Sequence, residues 1–185
     1  MAATTNRVEI RNANPANEIT GDCVIRAFVT ATGDTYENIQ RQLGALAWRN
    51  DWRCAEMTAL EATDYITNNG SLPHVWQKLA VREYGMRVVD VRRDGICFDP
   101  DWLPRNCIVS TPKHAVAIKD GTAVDTWDSI KRGTKRVQHI IVDAALYTDE
   151  DDDIAYDILV TQKETRRLRR NAKAKAARDA KRVMS

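Results

Sequence analysis

Around Gly85 the apolar residues of this 185-residue chain change their period, and that change decides what it can fold into. Before it they recur at helical spacing. Val24, Ile25, Ala27, Phe28, Val29 and Ala31 form a run too apolar for an exposed helix, which predicts a buried central helix from Asp22 to a stop at Gly33. Asp34-Thr35-Tyr36-Glu37 reads as a cap, with Asp34 accepting from the following amides and Glu37 reaching back, and opens a second helix through Tyr36, Ile39, Leu43 and Leu46. Two more helices are predicted over roughly 54–67 and 73–84, the latter with Pro73 in its first turn, parted by Asn68-Asn69-Gly70. After Gly85, the segments Met86–Val91, Cys107–Ser110, His114–Lys119, Thr122–Thr126 and Arg136–Val142 read as short strands rich in β-branched residues. Asp120-Gly121 marks a tight hairpin between two of them. Helices first and a mostly antiparallel sheet second predict an α+β fold. Residues 1–20 read as an irregular lead-in with at most a short strand at Arg7–Ile10.

Composition narrows the class. Apolar residues make up 43% and charged residues 29%, and no apolar run approaches the length that crosses a bilayer, so no membrane partner and a cytoplasmic location are expected. The cysteines at 23, 54, 97 and 107 form no CxxC pair and no close Cys/His cluster, so no metal and no cofactor are expected and the thiols read as free. The net charge of +2 conceals an asymmetry: residues 161–185 hold ten Lys/Arg against two Asp/Glu, while residues 1–160 hold eighteen against twenty-four. The first 160 residues are thus mildly acidic and the tail basic, and the chain divides into a body, 1–148, and an extension, 149–185. In the extension an acidic run, Asp149–Asp153, precedes a basic one, Lys163–Arg182, which suits the two ends of one long helix.

Three residues carry candidate chemistry. Cys23 opens the central helix, where the helix N-terminus and a nearby imidazolium would lower a thiol's pKa and hold it as the nucleophilic thiolate. Gly21 would let the chain turn sharply before it and let a substrate approach, and Asp22 reads as the helix cap. His114 stands directly before the strand Ala-Val-Ala-Ile, and the Asp120-Gly121 hairpin returns Asp125 and Trp127 toward it, as a base and its orienting carboxylate require. Asn17, six residues before Cys23, could donate to the oxyanion formed when the thiolate adds to a carbonyl, with the Cys23 amide as second donor.

This order of parts resembles the papain superfamily of cysteine peptidases: Asn17 matches its oxyanion Gln, Cys23 its nucleophile at a helix start, His114-Ala-Val-Ala its histidine strand and Asp125-Thr126-Trp127 its Asn-Ser-Trp. The run Cys23-Val24-Ile25-Arg26-Ala27 is also similar to the Cys-x-x-Arg-Ala helix start of ovarian-tumour-type deubiquitinases, which share the papain-like core. Asn stands here for the family's Gln, and Val24 where papain has Trp. The resemblance, over roughly residues 17–128, implies a papain-like α+β catalytic domain that cleaves a peptide or isopeptide bond through an acyl-enzyme, with a protein or peptide as substrate. Transamidation, deamidation or acyl transfer on the same fold is the alternative chemistry.

Rival readings stay open at several positions. Taken alone, Cys23 reads as a small buried apolar residue; it is the company of His114 and Asp125 that makes it a nucleophile. His74, at a helix start, and His139, inside a strand, compete as base. Asp128 competes with Asp125 as the third residue or closes a turn with Ser129. Trp127 either shields the His/Asp pair or fills core. The basic segment bearing Arg166, Arg167, Arg169, Arg170, Lys173 and Lys175 either solvates a frayed end or holds nucleic acid or an acidic partner, which would make the chain a non-catalytic binding module.

Overall fold

The computed structural model describes residues 8–16, 21–127 and 136–146, together with 164, 167, 168 and 170–173. The helical half comes first. Helix α1, Cys23–Thr32, buries Val24, Ile25, Ala27 and Phe28 and ends on Gly33, whose left-handed φ of 76° lets its amide donate to the Val29 carbonyl. Helix α2 spans Tyr36–Asn50, and its cap is Thr35, whose hydroxyl accepts from the Asn38 amide. The expected cap was one residue earlier. Asp34 instead takes hydrogen bonds from the Thr35 amide, the Asn38 side chain and the Tyr84 hydroxyl, which ties the start of α2 to the end of a later helix.

Helix α3, Ala59–Asn69, begins five residues after the expected start, because Asp51 accepts from the Arg53 amide and turns Trp52–Cys54 into a separate 3-10 turn. Thr58 and Glu61 then form the reciprocal box expected on α2. Helix α4, Pro73–Tyr84, carries Pro73 in its first turn and stops on Gly85. Gly44 on α2 has no room for a side chain: a Cβ there would lie 1.9 Å from the Thr63 hydroxyl on α3.

The second half is a sheet of strands β1 (Val8–Ile10), β2 (Met86–Asp90), β3 (Cys107–Thr111), β4 (His114–Lys119), β5 (Thr122–Asp125) and β6 (His139–Asp143). Their order is β1-β5-β4-β3-β6-β2, with only the β1–β5 pair parallel, so the class is α+β with a mixed sheet. Both faces are covered, which explains why the strand segments read as near-continuous apolar runs. On one face Ile108, Ala115, Ala117 and Ile141 pack under α1, α2 and α4. On the other, Val109, Val116, Ile118 and Ile140 pack against Ile96, Phe98 and Leu103 from the β2–β3 connection.

The β4–β5 hairpin fixes the register that matters. Asp120 and Gly121 both take positive φ, as a two-residue turn of this kind requires, and pair Lys119 with Thr122 and Ala117 with Val124. That register returns Asp125 and Trp127 to the end of β4 where His114 stands. Of the predicted C-terminal helix, Glu164, Arg167, Leu168 and 170–173 are helical and exposed, with an Arg167–Glu164 pair; the 148/149 boundary and Arg166, Arg169 and Lys175 lie outside the described residues. Among the described residues no helix is long and apolar enough to cross a membrane.

Candidate active site

Cys23 is the first residue of α1 and half-buried. The residue before it does not act as the expected cap. Asp22 has φ −85° and ψ 19°, not the extended backbone of a capping residue, and its carboxylate turns inward away from the first-turn amides. There it forms an ion pair with Arg26 one turn on and accepts from the Tyr36 hydroxyl at 2.7 Å and the Asn14 carboxamide at 3.0 Å. A buried carboxylate needs such donors. Burial first, and then this carboxylate, push the Tyr36 phenol's pKa upward, so it stays a neutral donor.

Gly21 also acts differently from expectation. The group that approaches it is protein backbone: a Cβ there would lie 2.5 Å from the Asn68 carbonyl oxygen and 2.7 Å from the Gly70 nitrogen. Only glycine lets the α3–α4 loop close against the segment that leads into Cys23.

The structure brings Cys23, His114 and Asp125 together. His114, at the start of β4, donates from Nε2 to Asp125 Oδ2 at 2.7 Å, which leaves Nδ1 for the Cys23 thiol. Asp125 is held in turn: its Oδ1 accepts from the Thr126 amide, and its carbonyl from the Arg11 amide where β1 ends beside β5. The His114 and Asp125 side chains are only 11% and 3% exposed. Trp127 lies 5.3 Å from the His114 ring, tilted by 39°, and remains 45% exposed, so it screens the ring without being core.

Electrostatics follow from this contact. Burial pushes the Cys23 thiol up, but the hydrogen bond and positive charge of His114, the Ala115 amide and Arg26 together hold it below the ordinary thiol value. Burial alone would lower His114; its bonds to Asp125 and Cys23 win and raise it to about 9. A lowered thiol beside a raised imidazole favours the thiolate–imidazolium pair at neutral pH.

The rivals separate cleanly. His74 bonds the Asn50 carbonyl at the start of α4, and His139 is buried against Trp76 with Nδ1 sharing a 2.8 Å hydrogen bond with Ser110 Oγ. Cys54 and Cys107 are buried thiols whose pKa burial raises, and Cys97 is half-buried. Asn17, Asp128 and Ser129 lie outside the described residues. The Cys23 amide, at the first helical position, has no acceptor within its own helix and is placed to serve as an oxyanion donor.

A cleft of about 500 Å³ opens over Cys23 and His114, walled by the Gly70-Ser71 loop and Trp127 and floored by Ser110 and Trp76. Arg26, known from the sequence only by its motif, and Asn14 and Tyr36, which no motif marks, brace Asp22 beside the site. One signal was present, an Asp and an Arg four apart at the start of an otherwise apolar helix. No group of three or more His, Cys, Asp or Glu side chains suited to a metal occurs among the described residues. Comparison of the chain with protein-family models, with curated proteins and with solved structures found no match.

Proposed function

We propose that this chain is a papain-like cysteine hydrolase acting on a peptide or isopeptide bond. The observation that carries the reading is the linked contact of Cys23, His114 and Asp125, where a helix start, a strand start and the end of the next strand converge. The thiolate sulfur adds to the carbonyl carbon, and the oxyanion takes a hydrogen bond from the Cys23 amide. Imidazolium Nδ1 gives its proton to the departing amine as the C–N bond breaks, which leaves a thioester on Cys23. Neutral His114 then draws a proton from water, the hydroxide adds to the thioester carbonyl, and release of the acid regenerates the thiolate–imidazolium pair. Asp125 holds the ring in the tautomer this requires and stabilises its positive charge throughout.

The test is hydrolysis of a peptide and isopeptide panel by the wild-type chain and by Cys23→Ala. The substitution should lower turnover by about four orders of magnitude or more. Equal turnover in both would refute the reading. Rapid labelling of Cys23 by a thiol reagent without hydrolysis of any panel member would move it to acyl transfer or deamidation.

A further inference from the structure

Apart from the Cys23 sulfur, the charged groups of the cleft are all basic. Arg26, Arg53, Lys113 and His114 line it, and among the described residues no aspartate or glutamate does. Residues 1–148 hold eighteen Lys/Arg and eighteen Asp/Glu, so the bias is local to the cleft. Two of these cations are neutralised from behind: Arg26 by Asp22 and Arg53 by Asp51, both carboxylates fully buried. Lys113 is different, an exposed side chain with no ion-pair partner among the described residues.

The backbone of Lys113 is a second, independent outlier. Pro112 and Lys113 make the two-residue connection between the paired Thr111 and His114, and Lys113 has φ 66°. Proline followed by positive φ is the pattern of a type II turn, whose second position favours Gly or Asn. The chain uses such residues elsewhere: its β4–β5 turn is Asp120-Gly121. A long cationic side chain held in a glycine-like conformation, at the lip of a cleft and next to the residue that contacts Cys23, is local strain at a functional position.

We propose that Lys113 is a substrate-recognition residue that binds a carboxylate carried beside the carbonyl attacked by Cys23, so that the preferred substrate is a peptide acidic next to its scissile bond. The proposal rests on the reading of Cys23 as the nucleophile. Because the two arginines already face buried carboxylates, Lys113 supplies the unneutralised positive charge of the cleft. Its place one residue before His114 puts that charge close to the reacting carbonyl, where an anionic group on the substrate would be met.

The experiment needs no knowledge of the natural substrate. Cys23 is alkylated with iodoacetate, which carries a carboxylate, and with iodoacetamide, its neutral analogue, and each rate is read by intact mass and peptide mapping. The ratio of the two rates is the readout, measured in wild type, Lys113→Gly, Lys113→Asn and Lys113→Glu. Glycine and asparagine both tolerate positive φ, so those variants should melt at or above the wild-type temperature. The ratio should fall about two- to fivefold in Lys113→Gly and Lys113→Asn, the range of a partly exposed ion pair. It should fall further in Lys113→Glu, and the differences should shrink at high salt. An unchanged ratio in the folded Lys113→Gly and Lys113→Asn variants would overturn the proposal. Slow alkylation of wild-type Cys23 by both reagents, at the rate of an ordinary thiol, would instead count against the nucleophile reading, with the ratio still reporting on Lys113.

Discussion

His114 and His139 sit on strands of the same sheet, each beside a nucleophilic side chain and each with an aspartate nearby, and their protonation goes opposite ways. His114 rises to about 9, whereas burial pushes His139 below its ordinary value. The difference lies in what the carboxylate touches. Asp125 accepts directly from the His114 ring. Asp90, the cross-strand partner of His139, spends its carboxylate on Arg92, which holds it down to about 2 and leaves only a through-space pull on the imidazole. A buried histidine becomes a charged partner only where a carboxylate binds it directly. The Ser110–His139 pair is thus a neutral structural bond in the cleft floor, and the Cys23–His114 pair is the one suited to chemistry.

The sharpest way to break this contrast is to delete each ring. His114→Ala should lower peptide turnover by about a thousandfold or more, and Cys23 alkylation at pH 7 by at most about thirtyfold, the limit set by the thiolate fraction of a thiol of pKa about 8.5. His139→Ala should leave that alkylation rate nearly unchanged but cost about 2–4 kcal/mol in urea unfolding, from lost packing on Trp76 and an unpaired Ser110 hydroxyl. If both deletions silence the thiol equally, the two histidines do not have separate roles. Next in size is Asp22→Ala, which strands the buried Arg26 charge and should cost about 3–5 kcal/mol in the same unfolding assay.

Asp125→Asn sharpens the contrast further. It keeps a hydrogen-bond acceptor for the ring but removes the negative charge that raises His114. The thiolate–imidazolium pair is lost as pH rises through the histidine's pKa, so wild-type activity should fall near pH 9 and the variant's at lower pH. A pH–rate profile with an unmoved alkaline limb would contradict the assignment of Asp125. The smallest effect is expected from Arg92→Ala, which frees Asp90 to act on its neighbour. The His139 pKa should move upward, readable from ring proton shifts in NMR, with no change at His114.

What the sequence disclosed follows from how far each signal reaches along the chain. Gly33, Pro73 and Asp120-Gly121 act within a turn of themselves, and the elements they bound lie where their chemistry places them. The same locality explains the near misses. Asp34 and Thr35 are both competent caps, and only the distant Tyr84 hydroxyl, which engages Asp34, distinguishes their roles. Asp22 looked like a cap because its partners Asn14 and Tyr36 come from separate segments. The packing of Ile96, Phe98 and Leu103 under the sheet has no period to announce it. Nor does sequence indicate that β1 lies parallel to β5 and fastens the backbone of Asp125. In the site, Cys23, His114 and Asp125 were legible because a hairpin register connects the last two, whereas Lys113 stands out only once its φ is known.

The central claim, that Cys23 and His114 share a thiolate–imidazolium pair, is tested most directly by the pH dependence of Cys23 alkylation with iodoacetamide, followed site by site by mass spectrometry. The account predicts that wild-type Cys23 reacts well below the pH at which a free thiol of pKa about 8.5 ionises, and that His114→Ala moves the profile up to that ordinary value. A wild-type profile that already follows an ordinary thiol, unchanged by His114→Ala, would contradict it.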